Sequence, residues 1–110
     1  MADERFIQVI LPLKLEWEPF YLLPDWLEAS VGDRVLVEFA GKKYSAVVSA
    51  LNPVPPQELI PRILYVIGQD ETVPPVFPEE IRFWRTLSSY YLCTVGEVYK
   101  AALLRDKMAK

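Results

Sequence analysis

Lys42, Lys43 and Arg62 are the residues of this 110-residue sequence from which an anion-binding site could be built, and Gly41 beside the lysines lets a ligand approach bare backbone. Each alone is an ordinary surface charge; together they are the best anion-facing set in the chain. Trp17, Phe20 and Tyr21 offer a second chemistry. Aromatics at the entry of a short strand are usually core, yet they can also give a nucleobase a face to stack on. Glu16, Glu18 and Asp25 lie nearest that aromatic segment and would supply paired carboxylates for acid–base work, but their segment reads as solvent-facing loop. Cys93 reads as a buried small hydrophobe, with a reactive thiol as the alternative. None of these sets looks like an active site. The sequence has no histidine, which removes the commonest general base and puts a structural zinc site out of reach, and Gly41-Lys42 matches only the end of a phosphate-binding loop.

Fifteen acidic residues against twelve basic ones leave a net charge of −3, which argues against broad, charge-driven nucleic-acid binding and leaves room for a local basic site. No apolar run approaches the roughly 18 residues of a membrane span. The charged opening Met-Ala-Asp-Glu-Arg does not read as a signal peptide, and a lone cysteine forms no internal disulfide. A reducing, cytoplasmic setting without a membrane is expected.

The elements that must position these residues are organised around a hairpin, Arg34 to Ser49. Arg34–Phe39 and Tyr44–Val48 are rich in β-branched and aromatic residues, and a two-residue Gly41-Lys42 loop would set Phe39 opposite Tyr44, Val37 opposite Ala46 and Val35 opposite Val48. One face is then wholly apolar, with Lys42 at the exposed tip. Phe6–Leu11 reads as the first strand and Phe20–Leu23 as a short second one, each closed by proline. Asp25 is a fair N-cap for a helical turn over Asp25–Ser30. The prolines between Leu51 and Pro61 predict a surface loop, Ile63–Ile67 the last clear strand, and Gly68–Glu71 the turn leaving it. Beyond Pro75 the period becomes helical: Pro78 opens a helix to about Leu92, with Ile81, Trp84, Leu87 and Tyr91 on one face. Thr94 and Glu97 form a capping box for a second helix from about Val95, with Val98, Ala102 and Leu103 inward, Lys100, Arg105 and Lys107 outward, and fraying at its end. The reading is α+β, a small antiparallel barrel-like sheet of about five to six strands followed by two helices. It makes residues 1–110 one domain, with the barrel-like part at 6–67 and the helical part at 78–107.

The succession Val9-Ile10-Leu11-Pro12-Leu13, Phe20-Tyr21-Leu22-Leu23-Pro24, Gly32-Asp33-Arg34-Val35-Leu36-Val37-Glu38-Phe39, Pro75-Val76-Phe77, Ser89-Tyr90-Tyr91 and Gly96-Glu97-Val98 resembles the N-terminal domain of the bacterial replication-restart helicase PriA, also called primosomal protein N′, over about residues 6 to 103. The resemblance implies that this chain is a non-enzymatic fragment of a longer ATP-dependent 3′-to-5′ DNA helicase, with ATP, magnesium and zinc belonging to parts outside it. It implies a module that recognises the 3′ end of the nascent leading strand at a stalled fork. Its partners would be forked DNA with a 3′-hydroxyl end, the other domains of the parent helicase and primosome proteins. In the family the terminal nucleotide lies in a pocket whose acid accepts the 3′ hydroxyl and repels a phosphate there. At the corresponding positions this chain has Pro19 for an aromatic residue, Phe20 for the acid, Ala40 with Gly41 one place late for a glycine, and Arg62 for the basic residue. The implied 3′-end site is Phe20 and Tyr21 flanking the base, Gly41 and Lys42 approaching sugar and phosphate, and Arg62 fixing the phosphate, with Glu18 or a backbone carbonyl left to receive the hydroxyl. At the far end Ala102-Leu103-Leu104 replaces the family's Ala-Leu-Pro, so the final helix is expected to run on past its usual stop.

The rival reading is a protein-interaction barrel without direct DNA binding, docking a peptide or neighbouring domain on its aromatic and Pro-rich surface. A hydrolase ranks third for want of a general base.

Overall fold

The computed structural model describes residues 4–108, with side chains to Arg105; the charged opening, the outward Lys107 and the fraying end fall wholly or partly outside these. Strands β1 (Arg5–Ile10), β2 (Phe20–Leu23), β3 (Arg34–Phe39), β4 (Lys42–Leu51) and β5 (Gly68–Gln69) precede helices α1 (Pro78–Tyr91) and α2 (Val95–Met108). The sheet order is β2-β1-β4-β3-β5, antiparallel throughout, so the expected α+β arrangement of a barrel-like sheet followed by two helices is the fold observed.

Alternation along the strands sends side chains to two separate cores. Ile7, Val9, Tyr21, Val35, Val37, Ala46 and Val48 fill the inside of the curled sheet. Ile10 and Val47 point the other way, onto Val76, Ile81, Trp84, Tyr99 and Leu103. Tyr99, which the sequence reading passed over, is fully buried and ties α2 to the sheet. Its ring stacks on Trp84 at 5.3 Å, its hydroxyl donates to the Ser45 carbonyl oxygen at 2.8 Å, and the buried Arg34 guanidinium lies 5.4 Å from its centroid.

The hairpin turn is one residue earlier than expected. Ala40 (φ 53°) and Gly41 (φ 82°) form the two-residue loop, and the pairs are Phe39 with Lys42, Val37 with Tyr44 and Val35 with Ala46. Two consecutive positive φ values match the twist of the flanking strands. The pairing slides by two residues, so the same side chains still face the core. Val48 meets the chain ahead of β3, accepting from Gly32 N–H at 2.8 Å and donating to the Asp33 carbonyl at 2.9 Å.

Four further expectations are corrected. Asp25–Ser30 holds a single turn, Leu27 N–H to the Pro24 carbonyl oxygen at 3.1 Å, and the Leu27 carbonyl that a further turn would use accepts from the Arg5 guanidinium at 3.0 Å instead. The proline loop contains a 3-10 helix, Gln57–Arg62, whose bonds need no amide from Pro61. Ile63–Ile67 is not a regular strand, and Gly68–Gln69, expected as a turn, is β5.

That last segment crosses between the two edges of the sheet. Leu22 N–H donates to Leu64 and Val66 N–H to Leu22 on the β2 side; then Ile67 N–H donates to Leu36 on the β3 side, each at 2.8 Å. Residues 64–70 are thereby the seam that closes the curl.

Helix α1 begins at Pro78 and α2 behind its capping box, Thr94 N–H to Glu97 Oε1 at 2.9 Å and Glu97 N–H to Thr94 Oγ1 at 3.3 Å. Helix α1 is seated through Ile81 and Trp84, with Leu87 half-buried; Tyr91, also expected inward, is 67% exposed because the helix runs on past what it packs against. Val98, Ala102 and Leu103 face the second core, and α2 continues through Leu104 as the missing proline predicts.

Candidate nucleic-acid interface

A cavity of about 270 Å³ lies on the seam, a little below the roughly 300–1,000 Å³ common for small-ligand sites. The entry of β2 contributes Pro19, Phe20 and Tyr21, the end of β3 and its turn Glu38, Phe39 and Ala40, and the chain closing the barrel Leu59, Arg62, Ile63 and Leu64. Trp17 forms one wall, its ring 6.3 Å from that of Phe39. Four of the residues singled out from sequence, Trp17, Phe20, Tyr21 and Arg62, thus meet in one concavity, Arg62 brought to the others from the far side of the seam.

Gly41 and Lys42 do not line it. The earlier turn puts Ala40 at the cavity, the position where the resembled family carries glycine, while Lys42 stands exposed opposite Phe39. Tyr21 is 3% exposed and belongs to the inner core, so it forms the floor and Phe20, half-buried, offers the more accessible ring. The Tyr21 hydroxyl donates to the Glu38 carbonyl oxygen at 2.7 Å, joining β2 to β3 across the seam. Burial and then the Glu38 charge push its phenol up to about 12, and Glu38 itself lines the cavity.

Glu38 is the acid that sequence reasoning missed. Strand alternation marks it only as an outward residue, and its proximity to Phe20 and Arg62 follows from barrel closure. Glu18 is elsewhere. Its segment is not the free loop expected: Ser49 donates to Glu18 Oε1 at 2.6 Å, and Arg85 grips both oxygens, Nη1 to Oε2 at 2.5 Å and Nη2 to Oε1 at 3.0 Å. Ser49 falls where the pairing of β1 with β4 shifts register, between Gln8 opposite Ala50 and Val9 opposite Val48. Burial opposes ionisation of Glu18, but the bonds from Arg85 and Ser49 outweigh it and hold the carboxyl below its ordinary range. Glu16 and Asp25 are exposed.

On the other side of Trp17 an open groove of about 670 Å³ runs between the β1–β2 connection and the α1–α2 corner. Lys14, Glu16, Glu18, Arg85 and Glu97 are its charged residues, and Cys93, half-buried rather than buried, lines it too. Among the described residues no group of acids and cysteine is arranged to hold a metal ion, and no helix is long and apolar enough to cross a membrane.

Residues 8–104 match the family of the PriA 3′ DNA-binding domain, 3′BD. The chain belongs to that family. Its fold is therefore a PriA 3′BD fold, and the family is one of DNA-binding rather than catalytic domains. The Replication restart protein PriA of Rickettsia felis is 26% identical over 102 residues, which cover 93% of this chain and 15% of that protein. The Replication restart protein PriA of Rickettsia conorii is 28% identical over 102 residues with the same coverage. The chain thus spans about 15% of the length of these curated relatives. The seam cavity brings together aromatic rings, an acidic residue, an arginine and a turn with a small residue.

Proposed function

We propose that this domain binds the 3′ end of a DNA strand in the seam cavity and so directs a replication-restart helicase to the nascent leading strand at a stalled fork. The observation that carries the reading is the convergence of Phe20, Tyr21, Glu38, Ala40 and Arg62 on one cavity. Phe20 stacks on the terminal base over the Tyr21 floor, Ala40 allows close approach of the sugar, and Arg62 engages the phosphate on the 5′ side. Glu38 takes the part that Glu18 cannot: its carboxylate accepts a 3′ hydroxyl and repels a phosphate in the same place. Gly41 leaves the tip of the turn open, and Lys42 beside it adds positive charge outside the cavity.

The test is a titration of forked DNAs differing only in the leading-strand 3′ terminus, hydroxyl against phosphate, at fixed salt, followed by fluorescence anisotropy. Tighter binding to the hydroxyl end, and loss of that preference in Glu38→Gln, is the expected result. With few cations engaged, the logarithmic salt slope should be shallow, roughly −1 to −3. Equal binding to both ends would defeat end recognition, and no binding to either would defeat the DNA reading.

One observation favours a second reading. Along α1 and at its C-terminal cap, Phe83, Tyr90, Tyr91 and Leu92 are exposed, Leu92 at 93%, as at a protein-docking surface. DNA that failed to shift any cavity amide would move the assignment there.

A further inference from the structure

Trp17 lines the seam cavity and also the groove beyond it, so the two concavities share one indole as their common wall. The ring leans on Phe39, a cavity residue, at an interplanar angle of 57°, which holds its orientation, yet it remains 53% exposed. An aromatic of this size is normally drawn into a core; one that is held in place and left open at the rim of a binding cavity has a face to offer. A strand whose last nucleotide fills the cavity must leave over its rim.

We infer that Trp17 forms a second nucleotide subsite, on which the base 5′ to the terminal one stacks while the strand continues into the groove between the β1–β2 connection and the α1–α2 corner. The inference rests on the end-binding reading and extends it from one nucleotide to two.

The groove's charges define how the subsite works. Lys14 and Arg85 stand against Glu16, Glu18 and Glu97. Glu18 is occupied by Arg85 and Ser49, and Glu97 by the amide and hydroxyl of Thr94. With Glu18 paired to Arg85, Lys14 against the carboxylates of Glu16 and Glu97 leaves the groove slightly negative, which gives a strand's phosphates no grip, so binding there depends on stacking. The second nucleotide should therefore add affinity while adding little salt dependence.

The experiment compares thymidine 5′-monophosphate with the 5′-phosphorylated dithymidylate and tetrathymidylate, all ending in a 3′ hydroxyl, on the wild-type domain and Trp17→Leu, by amide and indole NMR shifts. Leucine keeps an apolar wall and removes the flat face, and Trp17 is exposed enough for the variant to fold. In the wild type the second nucleotide should tighten binding roughly tenfold, with little further gain to four. The Trp17 indole signal should move with the dinucleotide more than with the mononucleotide. Trp17→Leu replaces one wall of the cavity, so the readout is the increment: the variant should bind the dinucleotide no more than about twofold tighter than the mononucleotide. An increment that survives in Trp17→Leu overturns the subsite, as does equal loss for one and two nucleotides, which would make Trp17 a cavity wall only. If the wild type shifts no cavity residue with the mononucleotide or the longer strands, the end-binding reading falls, and the subsite with it.

Discussion

The bond from the Tyr21 hydroxyl to the Glu38 carbonyl oxygen, 2.7 Å long, couples a core side chain to the strand end that carries the cavity's acid. Tyr21→Phe keeps the ring and removes the donor, so it should cost about 1 kcal/mol of stability and loosen the cavity wall. The phenol also has a pH signature. Its folded pKa, raised to about 12, lies above the ordinary value of about 10, so the native state holds the proton more tightly than the unfolded chain. The stabilisation is complete below about pH 10 and is lost as pH rises toward about 12. Denaturant unfolding from pH 8 upward should show a steeper alkaline decline in the wild type than in Tyr21→Phe, the two curves converging at the top of that range. Parallel curves would mean that the phenol contributes nothing to the decline.

The hairpin turn places an alanine where the left-handed conformation is strained, at φ 53°. Ala40→Gly relieves that strain at the expense of some unfolded-state entropy, for a net gain of roughly 0.5–1 kcal/mol. Urea unfolding should show a higher midpoint with an unchanged slope; a lower midpoint would mean that the Ala40 methyl packs usefully at the cavity. The same turn shows where the sequence could and could not be read. Strands β1 to β4 and both helices were legible because their apolar residues repeat at two and at 3.6. The turn's position was not, since a slide of two residues leaves Val35, Val37, Ala46 and Val48 on one face, and it carried Gly41 and Lys42 away from the cavity. Residues 63–67 read as a strand because they are β-branched, but their bonds are divided between two edges, which only closure decides. Phe20, Tyr21 and Arg62 could be named from residue type and family position. Glu38 gave no local signal, and neither did Tyr99, whose burial depends on Arg34 and Trp84 meeting it from other elements.

At the scale of the molecule, β4 carries both cores, Ala46 and Val48 inward and Val47 toward the helices, so barrel and helical pair share their central strand. The helical pair is held close at Gly96, where an added Cβ would fall 2.1 Å from the Leu13 carbonyl oxygen and 2.5 Å from that of Leu11. Gly96→Ala must push α2 off this stretch and should cost about 1–3 kcal/mol or more. Thermal unfolding should show one transition at a lower midpoint; an unchanged midpoint would mean that α2 is not seated there. The seam has a different consequence. Val66 and Ile67 donate to opposite margins of the sheet, Leu22 and Leu36, with the cavity immediately beside them. Opening the barrel there and emptying the cavity are then the same motion. Any ligand that fills the cavity works as a clasp, slowing hydrogen–deuterium exchange at the Leu22, Val66 and Ile67 amides while leaving central β4, which does not open in that motion, at its own rate.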